Sequence, residues 1–120
     1  MDHFGVREAV WNAAKAEIRA VLIDCARRGA FIAYSDLVRR VGALDLQARD
    51  PRLDALLEEL STAEAEAGRG MLSVLVVHKS GDQRPGGGFF ALAERLQRDT
   101  SDRDRLWVEE FRKVCVVWAS

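Results

Sequence analysis

An Asp-Pro pair at positions 50 and 51, followed by Leu53, Leu56, Leu57, Leu60, Ala63 and Ala67, restricts this chain more than any other feature. Proline fixes φ and lacks an amide hydrogen, so it fits only the first turn of a helix, where that hydrogen would have no intrahelical acceptor. Asp50 ahead of it can cap the free amides of the same turn. The apolar residues then recur every three or four positions until Gly68, which describes one face of an α-helix. A helix with a leucine face needs a second apolar layer, and the rest of the chain must supply it.

Two further segments have the same period. Over residues 6–28, Trp11, Ala14, Ile18, Val21, Leu22 and Cys25 share one face, Arg27 and Arg28 suit the negative end of the helix dipole, and Gly29 closes the helix. From Ser101, whose spacing to Asp104 suits a reciprocal cap, Trp107, Phe111, Val114 and Trp118 make the last helix aromatic on one side. Between these helices lie two β-prone runs. Phe31, Ile32, Ala33 and Tyr34 predict a short strand that feeds a short helix capped by Ser35 and carrying Leu37, Val38 and Val41 up to Gly42. Residues 71–78, rich in Leu and Val, predict a central strand covered on both faces. The loop Pro85-Gly86-Gly87-Gly88 then leads to a short helix with Phe89, Phe90, Leu92, Ala93 and Leu96.

This order predicts an α+β, mainly helical architecture: one winged-helix-like domain over residues 1–120, with a long N-terminal helix, a short sheet and an aromatic-faced C-terminal helix. Leu56, Leu60, Val74, Val76, Phe111 and Val114 are expected to be buried together. A chain of 120 residues, 48% apolar and 31% charged, suffices for one core. Its longest apolar run, residues 71–77, is interrupted by Ser73 and is far shorter than the roughly 20 residues of a membrane span. The amino terminus lacks the basic start and apolar run of a secretory signal, so a cytoplasmic location is expected. Cys25 and Cys115 fall within helical patterns far apart in the chain and are expected to be reduced, buried thiols. His3 and His78 are the only histidines and no paired-ligand spacing occurs, so neither a metal nor another cofactor is expected.

The order of helix, strand, helix, helix and strand, with Tyr34-Ser35-Asp36-Leu37 at the strand-to-helix junction, resembles the helix-turn-helix half of winged-helix domains. Residues 31–90 also resemble the DNA-binding domain of the alkylguanine-DNA alkyltransferases and their inactive relatives. That family has a Pro-Cys-His-Arg motif where this chain has Val76-Val77-His78-Lys79, so its nucleophilic cysteine is missing and alkyl transfer is not implied. The strand Leu72-Ser73-Val74-Leu75-Val76-Val77, then Lys79 and Pro85-Gly86-Gly87-Gly88-Phe89, is similar to a signature of small bacterial proteins. That likeness implies a shared fold and no particular chemistry.

Charge bears on what such a fold could bind. Net charge is −1, but residues 50–68 carry Asp50, Asp54, Glu58, Glu59, Glu64 and Glu66 against Arg52 alone. A recognition helix that reads DNA exposes cations, and five exposed carboxylates would oppose the phosphate contacts that dominate affinity. The third helix is therefore not expected to enter a major groove. A different surface, from Arg39, Arg40, Arg69, Lys79 and Arg84 with the amides of Gly86, Gly87 and Gly88, could contact a nucleic-acid backbone or another anion. The glycine loop matches no nucleotide-binding motif, and a turn that lets Phe89 and Phe90 reach the core explains the same residues. His78 has no second catalytic group spaced to work with it, and Ser35 lacks a nucleophile elbow, so no enzymatic activity is expected. The reading favoured by the sequence is a non-enzymatic interaction or regulatory module. It would hold a protein partner or a second copy through the acidic face (Asp54, Glu58, Glu59) or the aromatics Trp107 and Trp118; the alternative is a nucleic-acid-binding winged helix.

Overall fold

The computed structural model describes residues 4–79 and 87–119. Helix α1 (Glu8–Arg27) is followed by the two-residue strand β1 (Ile32–Ala33), the short helix α2 (Tyr34–Arg39) and helix α3 (Pro51–Glu66). A 3-10 turn (Leu72–Leu75) leads into strand β2 (Val76–Val77), and helices α4 (Gly87–Arg95) and α5 (Arg103–Trp118) complete the chain. The architecture is thus mainly helical with one small sheet, in which β1 and β2 pair in parallel with Ile32 opposite Val76 and Ala33 opposite Val77. A parallel pair cannot be joined by a tight turn. Here α2 and α3 make the crossover.

The helix ends follow from local chemistry. Gly29 takes φ +63° after α1, and the Ala30 amide turns back to the Cys25 carbonyl at 2.9 Å. Asp50 caps α3 by accepting from the Arg52 amide at 2.9 Å, with Pro51 in the first turn. After α3, Gly68 and Gly70 both have positive φ, and the Arg69 amide donates to the Glu64 carbonyl at 2.9 Å. Glu17 of α1 accepts from the Gly42 and Ala43 amides, both at 2.8 Å, which fixes the loop after α2 against α1.

The core gathers Trp11, Ile18 and Leu22 of α1, Leu53, Leu56 and Leu60 of α3, Met71 to Val76, Phe89 and Phe90 of α4, and Val114 of α5. Of the six residues expected to be buried together, Leu56, Leu60, Val74, Val76 and Val114 are buried, while Phe111 is half-buried and packs on the core's edge. Cys25 is buried and Cys115 half-buried, both as free thiols. Among the described residues no helix is long and apolar enough to cross a membrane.

Several local expectations are corrected. Residues 71–78 do not form a continuous strand, because Leu72 to Leu75 coil into a 3-10 turn and only Val76 and Val77 extend. That turn lies among α1, α3 and α5 with every residue buried, and the Ser73 amide donates to the Ser61 hydroxyl at 2.9 Å in place of a ladder partner. An apolar run this short has no period that separates strand from turn. Ser35 is not the cap of α2: the helix starts at Tyr34, and Ala33, two residues before Ser35, is its cap and makes no side-chain bond. The cap of α5 is Asp102, which accepts from the Arg105 amide at 3.1 Å, while Ser101 bonds to Asp99.

Candidate functional site

A cleft of about 520 Å³ opens between α2, α3, the end of β2 and the start of α4. It is formed where the chain leaves the sheet. Val77 is the last paired residue, so His78 and Lys79 emerge beside the first turn of α2, and the His78 ring lies 5.1 Å from that of Tyr34. Leu57, Phe89 and Leu92 line its apolar part; Arg49, Asp54, Glu58, Lys79 and Arg95 supply charge. Arg95 of α4 binds Glu58 of α3 at 2.8 Å across it. Lys79 lies 3.4 Å from Asp36 and Arg39 lies 3.7 Å from the same oxygen, so two cations share one carboxylate. Desolvation raises the pKa of Asp54, and the neighbouring charge of Asp50 adds to the effect. Ser35 also lines the cleft, and its shielded hydroxyl has no hydrogen-bond partner among the described residues.

The acidic appearance of α3 changes when its partners are in place. Glu59 accepts from the Trp11 indole at 3.2 Å and from Lys15 at 3.1 Å. Glu58 is held by Arg95. Glu64, expected on the exposed face, is instead buried: Arg19 of α1 donates to it at 2.8 Å and Arg69 binds its other oxygen. Trp118 completes this cluster, its ring 5.2 Å from the Arg19 guanidinium carbon and 6.0 Å from that of Arg69. The reason for the correction is geometric. Helical spacing says which residues share a face but not that α1, the loop after α3 and α4 bring cations onto the flank of α3.

A third feature is aromatic. Phe31, in the turn between α1 and β1, stacks on Phe111 with centroids 4.3 Å apart and lies 5.5 Å from Trp107, yet remains 42% exposed. Val108 and Val116 of α5 are 43% and 74% exposed.

The structure therefore regroups the residues singled out by sequence. Asp54, Glu58, Lys79 and Gly88, assigned to different kinds of contact, line one cleft. Arg39 joins Lys79 through Asp36, and Arg40 follows at the end of α2. Arg69 does not join them, because it is turned onto Glu64. Trp107 belongs to the aromatic platform, Trp118 to the Glu64 cluster, and Gly87 begins α4. Arg84 and Gly86 lie outside the described residues. Sequence reasoning missed Arg49, whose loop position carries no periodic signal, and Phe31, which its β-prone neighbours made look like a strand residue. Among the described residues no cluster of His, Cys, Asp and Glu could hold a metal ion. No protein-family model, no curated protein and no solved structure matches the chain.

Proposed function

We propose that this chain is a non-enzymatic interaction module of winged-helix type that pairs with a second copy of itself through Phe31 and the outer face of α5. The order of a long helix, a short strand, two helices and a second short strand supports the winged-helix reading. The observation that carries the interaction reading is the Phe31 platform, an aromatic stack left open at the surface while the carboxylates of α3 are largely engaged within the molecule. Exposed aromatics beside valines are typical anchors of protein interfaces. The choice of a second copy rests on charge: the net charge of −1 puts little repulsion between copies. On α5, Glu109, which pairs with Arg105 of the same helix at 2.9 Å, lies three residues before Arg112, so two antiparallel α5 helices can set Glu109 of each against Arg112 of the other. Helix α5 is about 24 Å long at 1.5 Å per residue, and Phe31, Val108 and Val116 are the exposed apolar anchors.

Sedimentation velocity over a concentration series tests this. The mass should rise from the 13.4 kDa of one chain toward twice that value, and Phe31→Asp with Val108→Asp should hold the protein at the lower mass with unchanged helicity. A wild type that stays monomeric throughout, or a double variant that still pairs, would refute it.

A nucleic-acid-binding winged helix is the second reading, favoured by Arg39 and Lys79 sharing one carboxylate, Asp36, with Arg40 at the end of α2. Internal pairing of Glu58, Glu59 and Glu64 also weakens the repulsion that the sequence alone suggests. Duplex affinity that falls with salt and disappears in Arg39→Ala/Lys79→Ala would support it; no binding at low salt would exclude it.

A further inference from the structure

We propose that the cleft between α2, α3 and α4 is a binding site for a small organic anion, with a flat apolar body held against Tyr34, Leu57 and Phe89 and an acidic head at Arg49 and Lys79. The volume of about 520 Å³ lies in the range of small-molecule pockets and is too large to be a packing defect. Its walls divide by chemistry. The Tyr34 and His78 rings, tilted 35° to each other, stand with Phe89, Leu57 and Leu92 as the apolar part. This is the combination of apolar lining with a few convergent polar groups that orients a ligand.

The sign of the ligand follows from the ion pairs. Arg39, Arg49, Lys79 and Arg95 are four cations at or beside the cleft, against the carboxylates Asp36, Asp54 and Glu58. Glu58 is engaged by Arg95, and one oxygen of Asp36 serves both Arg39 and Lys79. Arg49 has no ion-pair partner among the described residues. Asp54 has no ion-pair partner among the described residues, and desolvation, with the charge of Asp50, raises its pKa. Among the described residues these four cations outnumber the three carboxylates, and an anion finds Arg49 unpaired and Lys79 sharing one carboxylate oxygen with Arg39. Helix α4 begins here with Gly88 on the wall, so the positive end of its dipole lies on the same side.

Carboxylate and phosphate heads share this chemistry, and calorimetric titration with 1-naphthoate, 1-naphthyl phosphate, 1-naphthol and inorganic phosphate separates them. Both naphthyl anions should bind, their ranking identifying the preferred head. Naphthol and inorganic phosphate, each lacking half of the recognition, should bind at least about tenfold more weakly. Arg49→Ala and Lys79→Ala should each weaken the anions by about tenfold and leave naphthol unchanged, while Arg27→Ala at the exposed end of α1 should have no effect. Ala91→Phe, which adds bulk to the cleft wall from an exposed helical position, should abolish binding without loss of folded structure. Amide shifts in the complex should centre on Tyr34, His78, Lys79 and Gly88. Naphthol binding as tightly as the anions, indifference to both cation substitutions, shifts centred elsewhere, or no binding by any probe would each overturn the proposal.

Discussion

Replacing Glu64 by glutamine tests whether one carboxylate ties α1 to the end of α3. One of its oxygens accepts from Arg19 at 2.8 Å and the other is bound by Arg69, while the side chain retains only 4% of its exposure. Glutamine preserves the shape and one acceptor but turns an amide group toward a guanidinium. A hydrogen bond to a charged group contributes about 1.5–3 kcal/mol, and here two are altered. Both arginines are partly exposed and can turn to water, which screens the Coulombic part. We therefore expect a loss of about 2 kcal/mol at neutral pH, or roughly 8 °C in Tm for a chain of this size. The pH dependence identifies the cause. Burial pushes the Glu64 carboxyl up, but hydrogen bonds from Arg69 and Arg19 and their charges outweigh it and hold the group below its ordinary 4.5. A group depressed in the folded state stabilises fully above its ordinary pKa and ceases to do so as pH falls through the folded value. In urea titrations, the gap between wild type and Glu64→Gln should be widest near neutrality and close as pH drops below 4.5. A neutral-pH difference under about 0.5 kcal/mol, the scale of ordinary surface substitutions, or a gap that widens in acid would refute the reasoning.

Asp50→Ala removes the cap of α3 and should cost about 1–2 kcal/mol in chemical denaturation. The hydrogen bond from the Arg52 side chain leads the effects that lower Asp50 from 3.8 to about 2, against the cost of desolvation, so the difference from wild type should persist above 3.8 and vanish as pH falls through 2. Gly70→Ala should cost about 2–3 kcal/mol, because its φ is +89° and a Cβ would meet Val114 Cγ2 at 3.1 Å. Gly68→Ala, strained at φ +78° but in open space, should cost only about 1 kcal/mol, and equal losses would show that crowding plays no part. Desolvation raises the pKa of both thiols, but Cys115 is half-buried and Cys25 buried, so native labelling followed by mass spectrometry should modify Cys115 first.

The parts of this protein legible in its sequence are those whose signal is local. The capped start of α3 at Asp50 and Pro51, the closure of α1 at Gly29 and the buried faces of α1 and α3 all follow from spacing and backbone chemistry, and the structure contains them. The Leu72 to Leu75 segment was not legible, because an apolar run surrounded on all sides can satisfy its backbone through a side chain such as Ser61 as readily as through a ladder. The candidate site was legible only as scattered residues. Lys79 and Gly88 stood out as cation and glycine, and Asp54 and Glu58 as acids, but nothing in their spacing places them around one cleft with Arg49.

By itself the sequence determined the helices, the ends of α1 and α3 and most of the residues that had to leave water, since period and caps act over one or two turns. Which charges meet was decided only by tertiary structure: Glu64 joins Arg19 across 45 positions and Glu59 joins Lys15 across 44. The same packing opened the cleft and left Phe31 at the surface. The physical reason is that burial drives helices together without specifying partners, whereas ion pairs and clefts depend on distances of a few ångströms that exist only after the helices have packed.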